Sequence, residues 1–170
     1  MYRTKCGHTI LVPTNAALHL QAHPEVFDLL EETVGSITLP LNGGWIATDV
    51  DLGRIVGRSG CLSTPLITTS TKTTFARRLN RLKPSRVAVD AIGPEIGHVV
   101  LIAKPTERTG VYDLVTAYVG SLAPKEPWDP TLSPEEKVKS VRFWNEHALV
   151  YDPAVMEPPL ESTWDAVLEN

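Results

Sequence analysis

The stretch HVVLIAKPTERTGVYDLVTAYVG, residues 98–120, decides the fold. His98 to Ala103 and Tyr112 to Gly120 are apolar, β-branched-rich runs that favour strands. The polar connection Lys104–Gly110 has hairpin length, so the two runs pair antiparallel. Working back along the chain, Trp45 to Asp51, Arg54 to Gly57, Leu66 to Thr74 and Arg86 to Ala91 are further short strands, and Asn42-Gly43-Gly44 marks a turn. Phe75 to Leu82 reads as a strand too, although Ala76, Arg77, Arg78 and Leu79 are good helix formers. Earlier still, His8 to Pro13 is a strand and Asn15 to Ala22 a short helix. His23-Pro24-Glu25 starts a second helix, with Val26, Phe27, Leu29, Leu30 and Val34 at helical spacing and Gly35 as its stop.

Downstream, Pro124 to Pro130 forms a crossing loop, and Ser133-Pro134 caps a helix that runs through Val138, Val141, Phe143 and Trp144 toward Leu149. The layout is α+β: N-terminal helices packed on an antiparallel meander sheet, followed by a C-terminal helix and an irregular tail. At 170 residues the chain fits one domain, taken as 1–152, with a proline-rich acidic tail over 153–170 and a short helix near Trp164 to Leu168. No apolar run is long enough to span a membrane, and no signal peptide is legible at the start. Two cysteines, Cys6 and Cys61, make no disulfide framework, so the expected setting is the cytoplasm.

Charge is unevenly spread. Residues 52–89 hold Arg54, Arg58, Lys72, Arg77, Arg78, Arg81, Lys83 and Arg86 and no acid, whereas the chain as a whole carries −4. From Glu126 onward ten acids face Lys137, Lys139 and Arg142. A local basic strip of this kind suits a polyanion such as RNA. The alternative is that its charges pair with the acidic tail in the fold.

Phosphate loops, dinucleotide fingerprints, nucleophile elbows and H-E-x-x-H are absent, and Cys6-Gly7-His8 lacks a second ligand pair, so neither cofactor nor metal is expected. His, Arg, Thr and Tyr suffice to cleave RNA, which supplies its own 2′-hydroxyl nucleophile. His8 or His19 is the candidate for proton transfer, because imidazole titrates near neutrality. Arg78, with Arg77 and Arg81, is the candidate phosphate clamp, and Arg58, Lys72 and Arg86 are further RNA contacts. Thr116 and Tyr118, two apart on one strand, share a face and supply hydrogen bonds. His98 reads as a strand-start residue and His147 as a helix-face residue, both structural.

The segments Phe75–Arg81 (FARRLNR), Tyr112–Gly120 (YDLVTAYVG), Glu126–Asp129 (EPWD) and Phe143–Leu149 (FWNEHAL) occur in that order. Together, over about residues 65–150, they resemble a group of small uncharacterised prokaryotic proteins with FA+RxNR, TAYxG and FWxxHAL motifs. The layout is also similar to the ribonuclease toxin superfamily of barnase, EndoU, colicin nucleases and RelE. That resemblance implies metal-independent RNA cleavage, often in toxin–antitoxin systems. The chain departs from it in its acidic charge and in lacking a recognisable barnase-like Glu/Arg/His set. The expected function is therefore a metal-independent endoribonuclease or a toxin-like relative. The alternatives are a non-catalytic RNA-binding module that uses the same strip, or an antitoxin- or immunity-like protein that binds a partner chain.

Overall fold

The computed structural model describes residues 1–20, 24–38, 43–63, 72–79 and 81–169, without the side chains of His19 and Lys72. Parts of five expectations lie outside the described residues: 21–22 of the Asn15–Ala22 helix, His23 of the second helix start, Asn42 of the turn, 66–71 of the Leu66–Thr74 strand, and Asn80 of the Phe75–Leu82 strand. In chain order the elements begin with β1 (Tyr2–Arg3), β2 (Thr9–Leu11), α1 (Thr14–Leu20), α2 (Pro24–Phe27), α3 (Leu30–Gly35), β3 (Ile46–Asp51), β4 (Gly57–Arg58) and β5 (Cys61–Ser63). They continue with β6 (Lys72–Ala76), β7 (Ser85–Val89), β8 (Glu95–Ile96), β9 (His98–Pro105), β10 (Val111–Val119), α4 (Pro134–Glu146), β11 (His147–Val150) and α5 (Trp164–Glu169). The fold is α+β.

The chain divides into two compact units, one of residues 1–59 and 95–122 and one of 60–94 and 123–170. The first holds a five-stranded sheet in the order β1-β2-β10-β9-β3. β9 and β10 pair antiparallel as the hairpin reading expects, and β3 lies antiparallel on the other side of β9. β2 joins β10 parallel, so the sheet is antiparallel-rich and not antiparallel throughout. Leu20, Val26, Leu30 and Val34 of the three short helices share a core with Val99, Leu101, Leu114 and Val119 of the sheet. The helical spacing of the apolar residues is what turns one stripe of each helix inward.

A bulge interrupts β10. Leu114 pairs with Ala103, yet Thr116 pairs with Ile102, which leaves Val115 as the extra residue. Strict alternation from buried Tyr112 and Leu114 would send Thr116 and Tyr118 into the core. The bulge reverses the phase, so Ala117 and Val119 are buried and Thr116 and Tyr118 share the opposite face.

The second unit holds a four-stranded sheet in the order β5-β11-β7-β6. Two departures from expectation lie in this unit and a third, at Arg54–Gly57, in the first. The helix expected to run toward Leu149 stops at Glu146, and His147–Val150 becomes a strand between β5 and β7. Arg86 explains the stop: its Nη1 donates to the carbonyls of Trp144, Asn145 and His147 at 2.8–3.2 Å, which satisfies acceptors that a longer helix would have used itself. His147 accordingly lies on a strand, with its ring stacked on Phe143 at 3.8 Å. The strand expected over Phe75–Leu82 ends at Ala76, and that over Arg54–Gly57 is displaced to Gly57–Arg58. Gly53, at φ +68°, bends the chain there, and its N–H donates to Asp51 Oδ1.

The tail is ordered against β6. Phe75 and Leu160 exchange both backbone hydrogen bonds, Glu157 N–H donates to Arg77 O, and Leu79 N–H donates to Val155 O. The tail thus covers an exposed strand edge, and its prolines cannot offer a fresh one. Its short helix, expected near Trp164 to Leu168, is α5, where Trp164 packs edge-on against Phe75 at 5.1 Å. The cap read at Ser133 is a full capping box: Ser133 Oγ accepts from Glu136 N–H, and Glu136 Oε2 accepts from Ser133 N–H. No helix among the described residues is long and apolar enough to cross a membrane.

Candidate functional site

The residues singled out in the sequence divide between the units. His8, Arg58, Thr116 and Tyr118 belong to the first, and Lys72, Arg77, Arg78, Arg81 and Arg86 to the second. His19 is in the first as well, but its side chain lies outside the described residues, as does that of Lys72.

In the second unit the basic strip is largely committed to internal partners. Arg77 makes a two-pronged pair with Glu157 of the tail, whose hydrogen bonds, above all, raise the guanidinium and lower the carboxyl, with charge acting the same way and burial opposing both. Arg78 Nη2 donates to Glu126 Oε1 at 2.5 Å. Glu126 is 6% exposed and also accepts from Ser85 Oγ at 2.7 Å and Trp128 Nε1 at 2.9 Å. Arg86 holds the end of α4, and burial pulls its guanidinium below the ordinary value. Lys83 Nζ donates to Val167 O in α5. Arg81 is exposed; burial works against ionisation of Asp129, but Thr131, Lys125 and Arg81 together hold that carboxyl low.

Burial, and then the charge of Glu126, push the Cys61 thiol up to about 11. Cys61 should therefore resist a disulfide reagent at pH 8 in the folded protein while exposed Cys6 reacts, and should react only after unfolding. Labelling of Cys61 as fast as Cys6 in native buffer, read by mass spectrometry, would contradict this.

In the first unit His8 packs against the hairpin end of the sheet. Its ring stands edge-on to Tyr112, and a Cβ on Gly110 would lie 2.9 Å from His8 Nδ1. Thr9, the next residue, is in register with Val111. Thr116 lies five residues further along β10, roughly 16 Å at the usual strand rise. His8 is therefore not beside Thr116 and Tyr118.

His98 is the histidine near Tyr118. It opens β9 opposite Asp51 of β3, and Gly120 N–H donates to its carbonyl at 3.0 Å. Its Nδ1 lies 3.8 Å from Asp49 Oδ2 and its Nε2 3.9 Å from Asp51 Oδ2. These are ion-pair distances beyond hydrogen-bond reach. Nδ1 is buried and has no hydrogen-bond partner, an unusual state for a ring nitrogen. Tyr118 stands one register step away, opposite Val100, on the same sheet face. A Cβ on Gly120 would touch the Tyr118 ring and Ser59 Oγ at 3.5 Å, so both crowd the glycine across from His98.

Two glycines make the crowding possible. Gly120 leaves room for the tyrosine ring, and Gly97 lets the loop after β3 pass, since a Cβ there would come within 2.6 Å of Arg54 O. That loop leads into β4, whose Arg58 pairs with Glu95 of β8 at 2.8 Å while both side chains remain half exposed. An exposed pair of this kind is worth about 0–1 kcal/mol. The face thus combines an imidazole between two carboxylates, a phenol and the Thr116 hydroxyl, a set able to move protons, and Arg58 precedes the Ser59 that borders Gly120. Sequence reading took His98 as a structural strand-start residue and did not bring it to Asp49 and Asp51, because their meeting depends on strand register. The sole signal was alternation, which puts Asp49 and Asp51 on one face of β3.

No family model matches the chain, and no curated protein matches it. Among solved structures, the chain is similar to the crystal structure of a conserved hypothetical protein from Toxoplasma gondii ME49, with 16% identity over 78% of this chain and 85% of that one and a TM-score of 0.43. A likeness that loose leaves the function to be argued from this chain's own side chains.

Proposed function

We propose that the protein is a metal-independent endoribonuclease, or a toxin-like relative of one, whose site is the outward face of β3, β9 and β10. In this reading the β3–β9–β10 run, backed by the short helices, is the catalytic meander of a toxin-like ribonuclease. The observation that carries it is His98 between Asp49 and Asp51 with a buried, unbonded Nδ1 beside Tyr118. Catalytic hydrogen bonds in an empty site are often long and tighten when substrate arrives.

His98 takes the proton of a ribose 2′-hydroxyl, and the resulting oxygen attacks the adjacent phosphorus. The bond to the 5′-oxygen breaks, and Tyr118 protonates that oxygen as it leaves. The products are a 2′,3′-cyclic phosphate and a 5′-hydroxyl. Arg58 neutralises the charge that builds on the phosphorane oxygens, and Thr116 donates to one of them. Asp49 and Asp51 orient the imidazole and stabilise its protonated form, as a carboxylate does in a catalytic triad.

The test is incubation of purified protein with end-labelled single-stranded RNA in EDTA. Cleavage to 2′,3′-cyclic ends is expected, with Tyr118→Phe slowing it about a hundredfold. Intact RNA after long incubation at micromolar enzyme would end the proposal.

A second reading has its own observation. In the second unit Leu79, Leu82, Val155 and Leu160 are large apolar residues between 42% and 91% exposed. Leu79 N–H bonds to Val155 O, and Leu82 and Leu160 line one shallow groove. With the neighbouring cations internally paired, this favours an antitoxin- or immunity-like protein that binds a partner chain. That reading requires the RNA assay to show neither cleavage nor binding.

A further inference from the structure

β3 is the last strand of its sheet, and a groove of about 350 Å³ runs along it, lined by Ser36, Ile37, Thr38 and the strand from Trp45 to Val50. Two features tie this groove to the site. Asp49 lines it and lies 3.8 Å from His98, so the groove and the imidazole share this carboxylate. At its other end stands Trp45, 65% exposed. The alternation of β3, carried back one residue, places Trp45 on the same face as Ala47 and Asp49. Four residues of strand separate Trp45 from Asp49, about 13 Å, a distance that a short stretch of extended single-stranded RNA covers.

From these observations we infer that the β3 groove is a nucleotide subsite, in which an unpaired base next to the scissile phosphate stacks on Trp45. This rests on the ribonuclease reading of the same face. The volume suits one nucleotide and is too small for a duplex. An indole left in water is costly to expose and offers the π-face on which any base stacks. The carboxylates of Asp49 and Asp51 repel a phosphate, so the groove takes the base and leaves the backbone outside it. The substrate class is therefore single-stranded RNA, and a paired strand, whose bases are already stacked and bonded, is refused.

Binding and cleavage are separable with a fluorescein-labelled 2′-O-methyl octamer, which has no nucleophile and survives the enzyme. Fluorescence anisotropy should show binding by the wild type, about tenfold weaker binding by Trp45→Ala and by Trp45→Leu, and near-normal binding by Trp45→Phe. The same octamer annealed to its complement should bind more weakly than the single strand. Trp45→Leu keeps an apolar side chain, so it tests stacking where the alanine variant folds poorly. Equal binding by wild type and Trp45→Leu, equal binding of duplex and single strand, or no binding by the wild type overturns the subsite. Trp45-dependent binding without cleavage of unmodified RNA would overturn the nuclease and leave the subsite standing. Cleavage with Trp45-independent binding would do the reverse.

Discussion

Replacing Glu126 with alanine should destabilise the protein by about 3–5 kcal/mol, the usual cost of stranding one half of a buried ion pair. Glu126 is 6% exposed and receives Arg78 Nη2, Ser85 Oγ and Trp128 Nε1. Its removal leaves the part-buried Arg78 guanidinium, whose Nε is already buried without a partner, and a fully buried serine without their acceptor. Trp128 suffers least, because its Nε1 also donates to Pro84 O at 3.1 Å. Urea denaturation followed by far-UV circular dichroism measures the loss. A double variant, Glu126→Leu with Arg78→Met, should recover much of it, since no charge is then left unpaired. A change below about 1 kcal/mol for Glu126→Ala would mean that solvent reaches the pair and that Arg78 is available to a ligand after all.

Glu126 also shows where sequence reading reaches its limit. The EPWD segment was legible as an ordered loop, since Pro127 and Pro130 exclude helix and strand interiors. That its acid would find Arg78 depends on a contact 48 residues apart, which no local pattern encodes. The basic strip was legible as composition. Whether its cations face solvent or the acids of the tail is decided by the route of residues 153–163 along β6, and that route follows from edge pairing and not from charge.

The first unit divides in the same way. The β9–β10 hairpin and the strand before α1 follow from period and turn residues alone. The inversion at Val115 does not, because a bulge is one unpaired residue in a stretch whose apolar content reads equally well without it. Without that bulge Tyr118 would be core and the face beside His98 would carry no phenol. In the second unit FWNEHAL reads as helix throughout on propensity. The switch to strand after Glu146 comes from Arg86 and two neighbouring strands, which is tertiary structure overriding local preference.

The largest expected effect on activity belongs to His98. His98→Ala should lower the rate of RNA cleavage by about 10²–10⁴, the range that one positioned acid–base group supplies. Stability should change little, because the buried Nδ1 makes no hydrogen bond whose loss would strand a partner. Asp49→Asn and Asp51→Asn act through the imidazole, so each alone should cost less than His98→Ala, and the pair together should approach it, since either carboxylate can orient the ring in the absence of the other. A purely structural histidine predicts the opposite pattern: a lowered melting temperature, and loss of activity only in proportion to unfolded protein. The pH–rate profile separates the two. In a working site His98→Ala changes the shape of the profile, whereas loss of a structural histidine lowers the rate without reshaping it. Added imidazole should then restore part of the lost rate in His98→Ala, because the cavity left beside Asp49 and Asp51 admits the same base. A variant that cleaves RNA at the wild-type rate with the same pH profile would remove His98 from the chemistry, and with it the reason to place the site on this face.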